Sequence, residues 1–237
     1  MDSAQDQYIA VKSQGETINT RFRQAGSTGS NIVMVHGLGG YLENWEQNIP
    51  LLAREHRVYA LDLVGFGYTD KPTATNYAIP YLAQFLKDFM ATIDLPSAAI
   101  IGHSLGGAIA LQMTLLQPEV VEKLILVSSG GLGREVSSAF KVLSLPLIGR
   151  LLIKPNRKAI ARGLKASFYD DTLVTDERVE RGYKMASIPG VTDTILTAIR
   201  TSVNFFGAKS GTLDPIYNNL DQVSVPTLVV WGKQDLA

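Results

Sequence analysis

The chain contains no cysteine among its 237 residues, which excludes a disulfide scaffold, a thiolate metal site and a cysteine nucleophile together. It has no surplus of either charge, with 22 basic against 22 acidic side chains, whereas a general nucleic-acid binder carries a basic excess. No run reaches the roughly 18 consecutive apolar residues of a membrane-spanning helix. The opening M-D-S-A-Q-D-Q lacks the basic-then-apolar layout of a secretory signal, and with the absence of cysteine this predicts a cytoplasmic protein. Histidine is scarce, limited to His36, His56 and His103. What is plentiful is apolar: 46% hydrophobic against 19% charged residues describes a folded chain. The core suffices for one large domain, or one domain with a sizeable insertion.

Strand and helix patterns alternate through the first half. Tyr8–Val11 and Thr17–Phe22 read as strands around a turn at Gly15. Asn31–Val35 is a continuous apolar run typical of a strand buried on both faces. Helical spacing of Trp45, Ile49, Leu52 and Ala53 predicts a helix over Leu42–Arg54, followed by a strand at Arg57–Leu61. A helix over Ile79–Ile93, a strand at Ala98–Ile101, a helix over Ser104–Gln117 and a strand at Val121–Val127 continue the alternation. Such repetition implies a mostly parallel sheet flanked by helices. From about Gly131 to Pro215 the pattern is helical, and Pro226–Trp231 returns to buried-strand character. The predicted organisation is a core of residues 1–130 and 216–237 interrupted by a helical cap or lid at 131–215. That insertion holds 13 basic and 8 acidic residues, so a cationic lid faces an anionic core.

Gly102-His103-Ser104-Leu105-Gly106 forms a G-x-S-x-G pentapeptide between a predicted strand and a predicted helix. Glycines there permit a sharp turn that lifts the serine hydroxyl above the sheet, at the positive end of the following helix. Composition alone would produce the pattern in roughly one such chain in eight, so its placement carries the weight. His36-Gly37-Leu38-Gly39-Gly40 follows an earlier strand, and its turn can aim a backbone N–H at the same point. The expected oxyanion donors are the amides of Leu38 and Leu105, and His36 reads as a structural histidine bonded to its own loop. Asp235, just past the last strand, can accept the N–H of a catalytic imidazole. Asp62, with Gly65, Gly67, Thr69 and Asp70, reads as scaffold.

With these motifs in place, the chain resembles the α/β-hydrolase fold superfamily: a serine hydrolase with a helical cap. The matching segments are H-G-L-G-G (36–40), D-L-V-G-F-G-Y-T-D (62–70), G-H-S-L-G-G (102–107) and W-G-K-Q-D (231–235), in the family's order. The resemblance implies Ser104 as nucleophile, Asp235 as triad acid, Leu38 and Leu105 as oxyanion residues, and Gly102, His103 and Gly106 as the nucleophile elbow. It implies no metal and no organic cofactor. The family places its histidine on a loop after one further strand, and none follows Asp235 here. None of the three histidines is placed to bridge Ser104 and Asp235. The favoured expectation is a truncated piece of an ordinary hydrolase, with the C-terminal strand and helix missing and the 237-residue chain itself nearly inactive. The other is a complete, non-catalytic ligand-binding member of the fold.

A serine nucleophile sets the chain apart from the similar haloalkane dehalogenases and epoxide hydrolases, which use a carboxylate there. The expected reaction is hydrolysis of small or medium apolar carboxylic esters through an acyl-enzyme. The alternative is a carbon–carbon bond hydrolase of the meta-cleavage-product type, which G-F-G-Y-T-D-K-P also resembles, although those enzymes usually carry Asn at the position of His103. A small-molecule ester is thus the expected partner, with no nucleic acid. Val142–Lys165 is apolar with interspersed Arg150, Lys154, Arg157, Lys158, Arg162 and Lys165. Interruptions at Pro155 and Gly163 favour a solvated helical face over the pocket; the alternative is weak contact of this basic lid with an anionic membrane surface.

Overall fold

A computed structural model describes residues 5–235. The readings placed on residues 1–4 and 236–237 lie outside the described residues. A seven-stranded sheet runs in the order β1-β2-β4-β3-β5-β6-β9. Its strands are β1 (Gln7–Ser13), β2 (Glu16–Ala25), β3 (Asn31–Val35), β4 (Arg57–Leu61), β5 (Ala98–His103), β6 (Val121–Val127) and β9 (Thr227–Val230). β1 and β2 pair antiparallel, β2 meets β4 antiparallel, and the remaining pairings are parallel. β3 sits between β4 and β5, so the chain leaves β3 in one direction along the sheet and β5 in the other. In open α/β sheets the crevice at such a reversal, outside the strands' carboxyl ends, is where ligands bind.

Alternation along the strands divides the core between two faces. Val33, Val35, Tyr59, Leu61 and Ile100 pack with Phe85, Leu86 and Phe89 of α2 (Ile79–Thr92) and with α3 (Leu105–Leu116). Ile32, Met34, Val58, Ala60 and Ala99 face the other way, onto Leu42, Trp45 and Ile49. Each fully buried side chain of this size contributes about 1.5–3 kcal/mol. α3 is apolar and buried nearly all round, as a helix pinned between sheet and neighbours must be.

The continuous helix expected over Leu42–Arg54 is instead a 3-10 turn at Leu42–Trp45 and a single helical turn, α1 (Ile49–Leu52). Pro50 supplies no amide hydrogen and its ring collides with a carbonyl four residues back, so the helix restarts there. Between β6 and β9 lie α4 (Ser138–Leu143), α5 (Pro146–Leu152), α6 (Arg157–Ser167), α7 (Asp176–Ala186), α8 (Val191–Ser202) and α9 (Asp214–Tyr217). The expected strand-free insertion contains one small hairpin, β7 (Val203–Asn204) with β8 (Gly207–Ala208). Asn204 holds its turn by accepting from the amides of Phe206 and Gly207. The expected buried character of the last strand also fails. Leu228, Val229 and Val230 are each about half exposed. β9 pairs only with β6 among the described residues. No helix among the described residues is long and apolar enough to cross a membrane.

Candidate active site

Ser104 stands at the junction of β5 and α3 with φ 52° and ψ −116°. A non-glycine residue there carries strain on the order of 1–3 kcal/mol and persists only where its surroundings hold it. Four backbone hydrogen bonds do so: the Ser104 amide donates to Val127 O at 3.0 Å, and its carbonyl accepts from Gly107, Ala108 and Gly130. The glycines of the pentapeptide are there for space. A Cβ on Gly102 would overlap the carbonyl of Gly106, and one on Gly106 would overlap that of Val35. β3, β5 and the start of α3 therefore close on one another only with glycine at both positions.

The second loop meets the same point. A Cβ on Gly37 would stand 3.1 Å from the Ser104 Cβ and 3.0 Å from His103 Nδ1, so residues 36–40 pass directly over the elbow. Neither the Leu38 amide nor the Leu105 amide donates to a protein acceptor among the described residues. Leu105 opens α3, whose first amides have no intrahelical partner and carry the positive end of the helix dipole. Leu38, Ser104 and Leu105 line one cavity of about 570 Å³.

Beneath that floor, His36 is fully buried, and Leu63 N donates to its Nε2 at 3.0 Å. The proton must therefore sit on Nδ1, which reaches Gly37 O at 2.8 Å. Burial holds the His36 pKa below the ordinary imidazole value, against the pull of the Asp62 charge and the Gly37 carbonyl. Asp62 is likewise buried. Its carboxylate accepts from Leu42 N at 2.6 Å and Tyr68 N at 2.9 Å and pairs with Arg21 Nη1 at 3.1 Å. Arg21, itself only 2% exposed, also pairs with Asp6 and Glu43. Burial pulls the Arg21 pKa down, but the Glu43 hydrogen bond and the surrounding carboxylates more than offset it and hold the guanidinium charged. Sequence reasoning missed Arg21, since an arginine in a strand gives no local sign that it will be buried.

The other two histidines make no hydrogen bond to the serine side chain among the described residues. His56 shares a hydrogen bond with Ser30 at 2.9 Å. His103 keeps an exposed edge, yet the protein packed round its ring lowers its pKa, with the Asp235 charge opposing. Neither His103 nor Ser104 has a side-chain hydrogen bond to the other among the described residues. Asp235 is exposed in the turn after β9, its amide donating to Gly232 O at 3.1 Å.

Apart from Trp231 of the W-G-K-Q-D segment, the further cavity walls come from parts of the chain that carried no motif. Tyr77, Phe140, Ile199, Val203, Leu213 and Trp231 supply an apolar lining, and Ser128, Ser129, Ser137 and Ser202 supply hydroxyls. The only charged lining residue among those described is Glu135. No group of three or more potential ligands for a metal ion is found among the described residues.

Residues 31–237 match the family described as the alpha/beta hydrolase fold. An uncharacterised protein of Mycobacterium tuberculosis (strain ATCC 25618 / H37Rv) is 31% identical over 223 residues, covering 91% of this chain and 64% of that protein. A 2-hydroxy-6-oxo-6-(2'-aminophenyl)hexa-2,4-dienoic acid hydrolase of Metapseudomonas resinovorans is 31% identical over 223 residues, covering 92% of this chain and 72% of its own length. Among solved structures, an epoxide hydrolase without ligand superposes with a TM-score of 0.84 at 19% identity, covering 99% of this chain and 84% of its own. At that identity the likeness concerns the fold. The chain spans 64% of the length of the first curated relatives it matches.

Proposed function

The chain belongs to the α/β-hydrolase fold family, and from that premise we propose that the whole protein is a serine hydrolase of neutral, apolar carboxylic esters. Ser104 Oγ attacks the ester carbonyl carbon, its proton passing to a general base. The carbonyl oxygen becomes an oxyanion held by the Leu38 and Leu105 amides, each donor of this kind being worth about 2.7–4 kcal/mol of barrier. The alcohol leaves with the base's proton, and water then cleaves the acyl-serine by the reverse sequence. Asp235 is proposed to orient the base. A base must reach both Ser104 and Asp235. His36 is committed to Leu63 and Gly37, and His56 to Ser30. The nucleophile, the oxyanion donors and the acid are thus assigned to described residues, and neither His36 nor His56 is free to be the base.

The observation that carries the ester reading is the charge of the cavity. Sequence likeness to the dienoic acid hydrolase favours the second reading, cleavage of a carbon–carbon bond. Such an acid is an anion at neutral pH, and a buried carboxylate is held most firmly by a paired cation, which serine hydroxyls alone do not replace. The cavity offers no lysine or arginine among its lining residues and one glutamate, which repels an anion. An uncharged ester meets neither penalty.

The test offers the full-length protein an aryl ester and a vinylogous 1,5-diketone acid in parallel. Faster ester cleavage, with a burst of phenolate equal to the enzyme concentration, is expected. Faster cleavage of the diketone acid would reverse the order of the two readings. Absence of turnover on both, alongside tight binding of an apolar ester analogue, would leave a ligand-binding protein.

A further inference from the structure

Helix α5 is built inside out. A surface helix normally turns its apolar stripe to the core and its polar side to water. In α5 (Pro146–Leu152) the residue facing the protein is Gly149, where a Cβ would overlap the Leu143 carbonyl and stand 3.2 Å from Leu196 Cδ2. Four large apolar side chains point away: Leu147 is 87% exposed, Leu151 67%, Leu152 56% and Ile148 47%. Arg200 fixes this orientation by donating to Pro146 O at 2.8 Å.

A second apolar projection adjoins it. The turn of the β7–β8 hairpin presents Phe206 at 90% and Phe205 at 55% exposure, their rings edge to face. Lys209, just past β8, donates to the carbonyl of Arg200, the residue whose guanidinium holds α5. Large exposed apolar side chains grouped on two elements tied together in this way mark a contact site. Its surroundings say which kind. Lys141 lies against the hairpin, Arg150 within α5 and Lys154 just after it. The facing acidic group is Asp193, which pairs with Arg150 at 3.4 Å in the open. Residues 131–215 as a whole carry 13 basic against 8 acidic side chains.

We propose that α5 and the Phe205–Phe206 turn dock this face of the protein onto an anionic lipid bilayer. Leu147, Leu151 and Phe206 enter the acyl boundary while Lys141, Lys154 and Lys209 meet the headgroups, the arrangement of an interfacial helix with a cationic rim. Phe140, Ser202 and Val203, on the elements that carry this face, also line the cavity. The inference stands whichever bond the site cleaves.

The test is co-sedimentation of the full-length Ser104→Ala protein, in which turnover plays no part, with phosphatidylcholine vesicles and with vesicles containing about one-third phosphatidylglycerol. Partition at least about tenfold greater onto the anionic vesicles is expected. Leu147→Asp with Leu151→Asp should abolish it; both positions are open to water, so the fold survives and circular dichroism verifies that. Lys154→Glu, a separate variant, should weaken binding roughly fivefold or more. Equal partition onto both vesicle types, or none onto either, overturns the proposal. So does a dimer in sedimentation velocity that Leu147→Asp dissolves, since a second copy of the chain would then cover this face.

Discussion

Asp62 and Asp235 both follow a parallel strand of the same sheet, yet the structure treats them in opposite ways. Asp62, after β4, is fully buried and spends its oxygens on Arg21, Leu42 N and Tyr68 N. Asp235, after β9, lies at an exposed strand with one sheet neighbour among the described residues. The contrast extends to the whole site. Ser104 is held from beneath by β3, β5 and α3, whereas Asp235 follows a strand open to water. A carboxylate bound on every side by buried donors is part of the scaffold, whereas Asp235 keeps an exposed position.

That contrast can be broken by mutation, most severely at the elbow. Ser104→Ala should lower ester turnover of the whole protein on the order of 10⁶-fold while leaving the urea midpoint nearly unchanged. Asp235→Asn should cost about 10⁴-fold in turnover but under about 0.5 kcal/mol in stability, as an exposed substitution does. Asp62→Ala is expected to do the reverse, destabilising by about 3–5 kcal/mol because Arg21 is left buried with a partner missing. A urea-unfolding loss below about 1 kcal/mol would erase the distinction between the two aspartates. Gly106→Ala should cost about 3 kcal/mol through its clash with Val35. Gly133→Ala, where nothing stands within 4 Å, serves as the neutral control.

The smallest effect is a pH dependence. Burial depresses the His36 pKa in the folded protein, so the folded state binds fewer protons than the unfolded one. Its stabilisation is present above the ordinary imidazole pKa of about 6.5 and is lost as pH falls from there through the depressed folded value. The slope reaches at most about 1.4 kcal/mol per pH unit for this single proton. His103 adds a contribution of the same sign. Urea midpoints from pH 7 down to about 5 should therefore fall. They should fall less steeply in His36→Asn, and an unchanged slope would remove His36 from the account.

The parallel core was legible before any coordinates, because strands covered on both faces must be continuous apolar runs. Asn31–Val35, Arg57–Leu61 and Val121–Val127 are found where their composition put them. The elbow was legible for a related reason. A strand-to-helix turn that seats a side chain at φ 52° needs glycines on either side, and glycine spacing is visible in a linear string. Leu42–Arg54 misled because helical periodicity survives a proline that its hydrogen bonding does not. Pro226–Trp231 misled because apolar composition records what a strand can bury, not what stands beside it.

The sequence by itself determined the β/α alternation, the turn carrying Ser104, the glycine-rich loop carrying Leu38, and the lack of a cationic or anionic bias. Each of these is encoded by neighbours within a few residues. Tertiary structure alone decided that Arg21 is buried with three carboxylates and that His36 accepts from the distant Leu63 amide. It also decided that Phe140 and Val203 wall the cavity and that α5 turns its leucines to solvent. Those outcomes depend on which distant segments come to lie alongside one another, and hydrophobicity, periodicity and spacing along a chain carry no record of that.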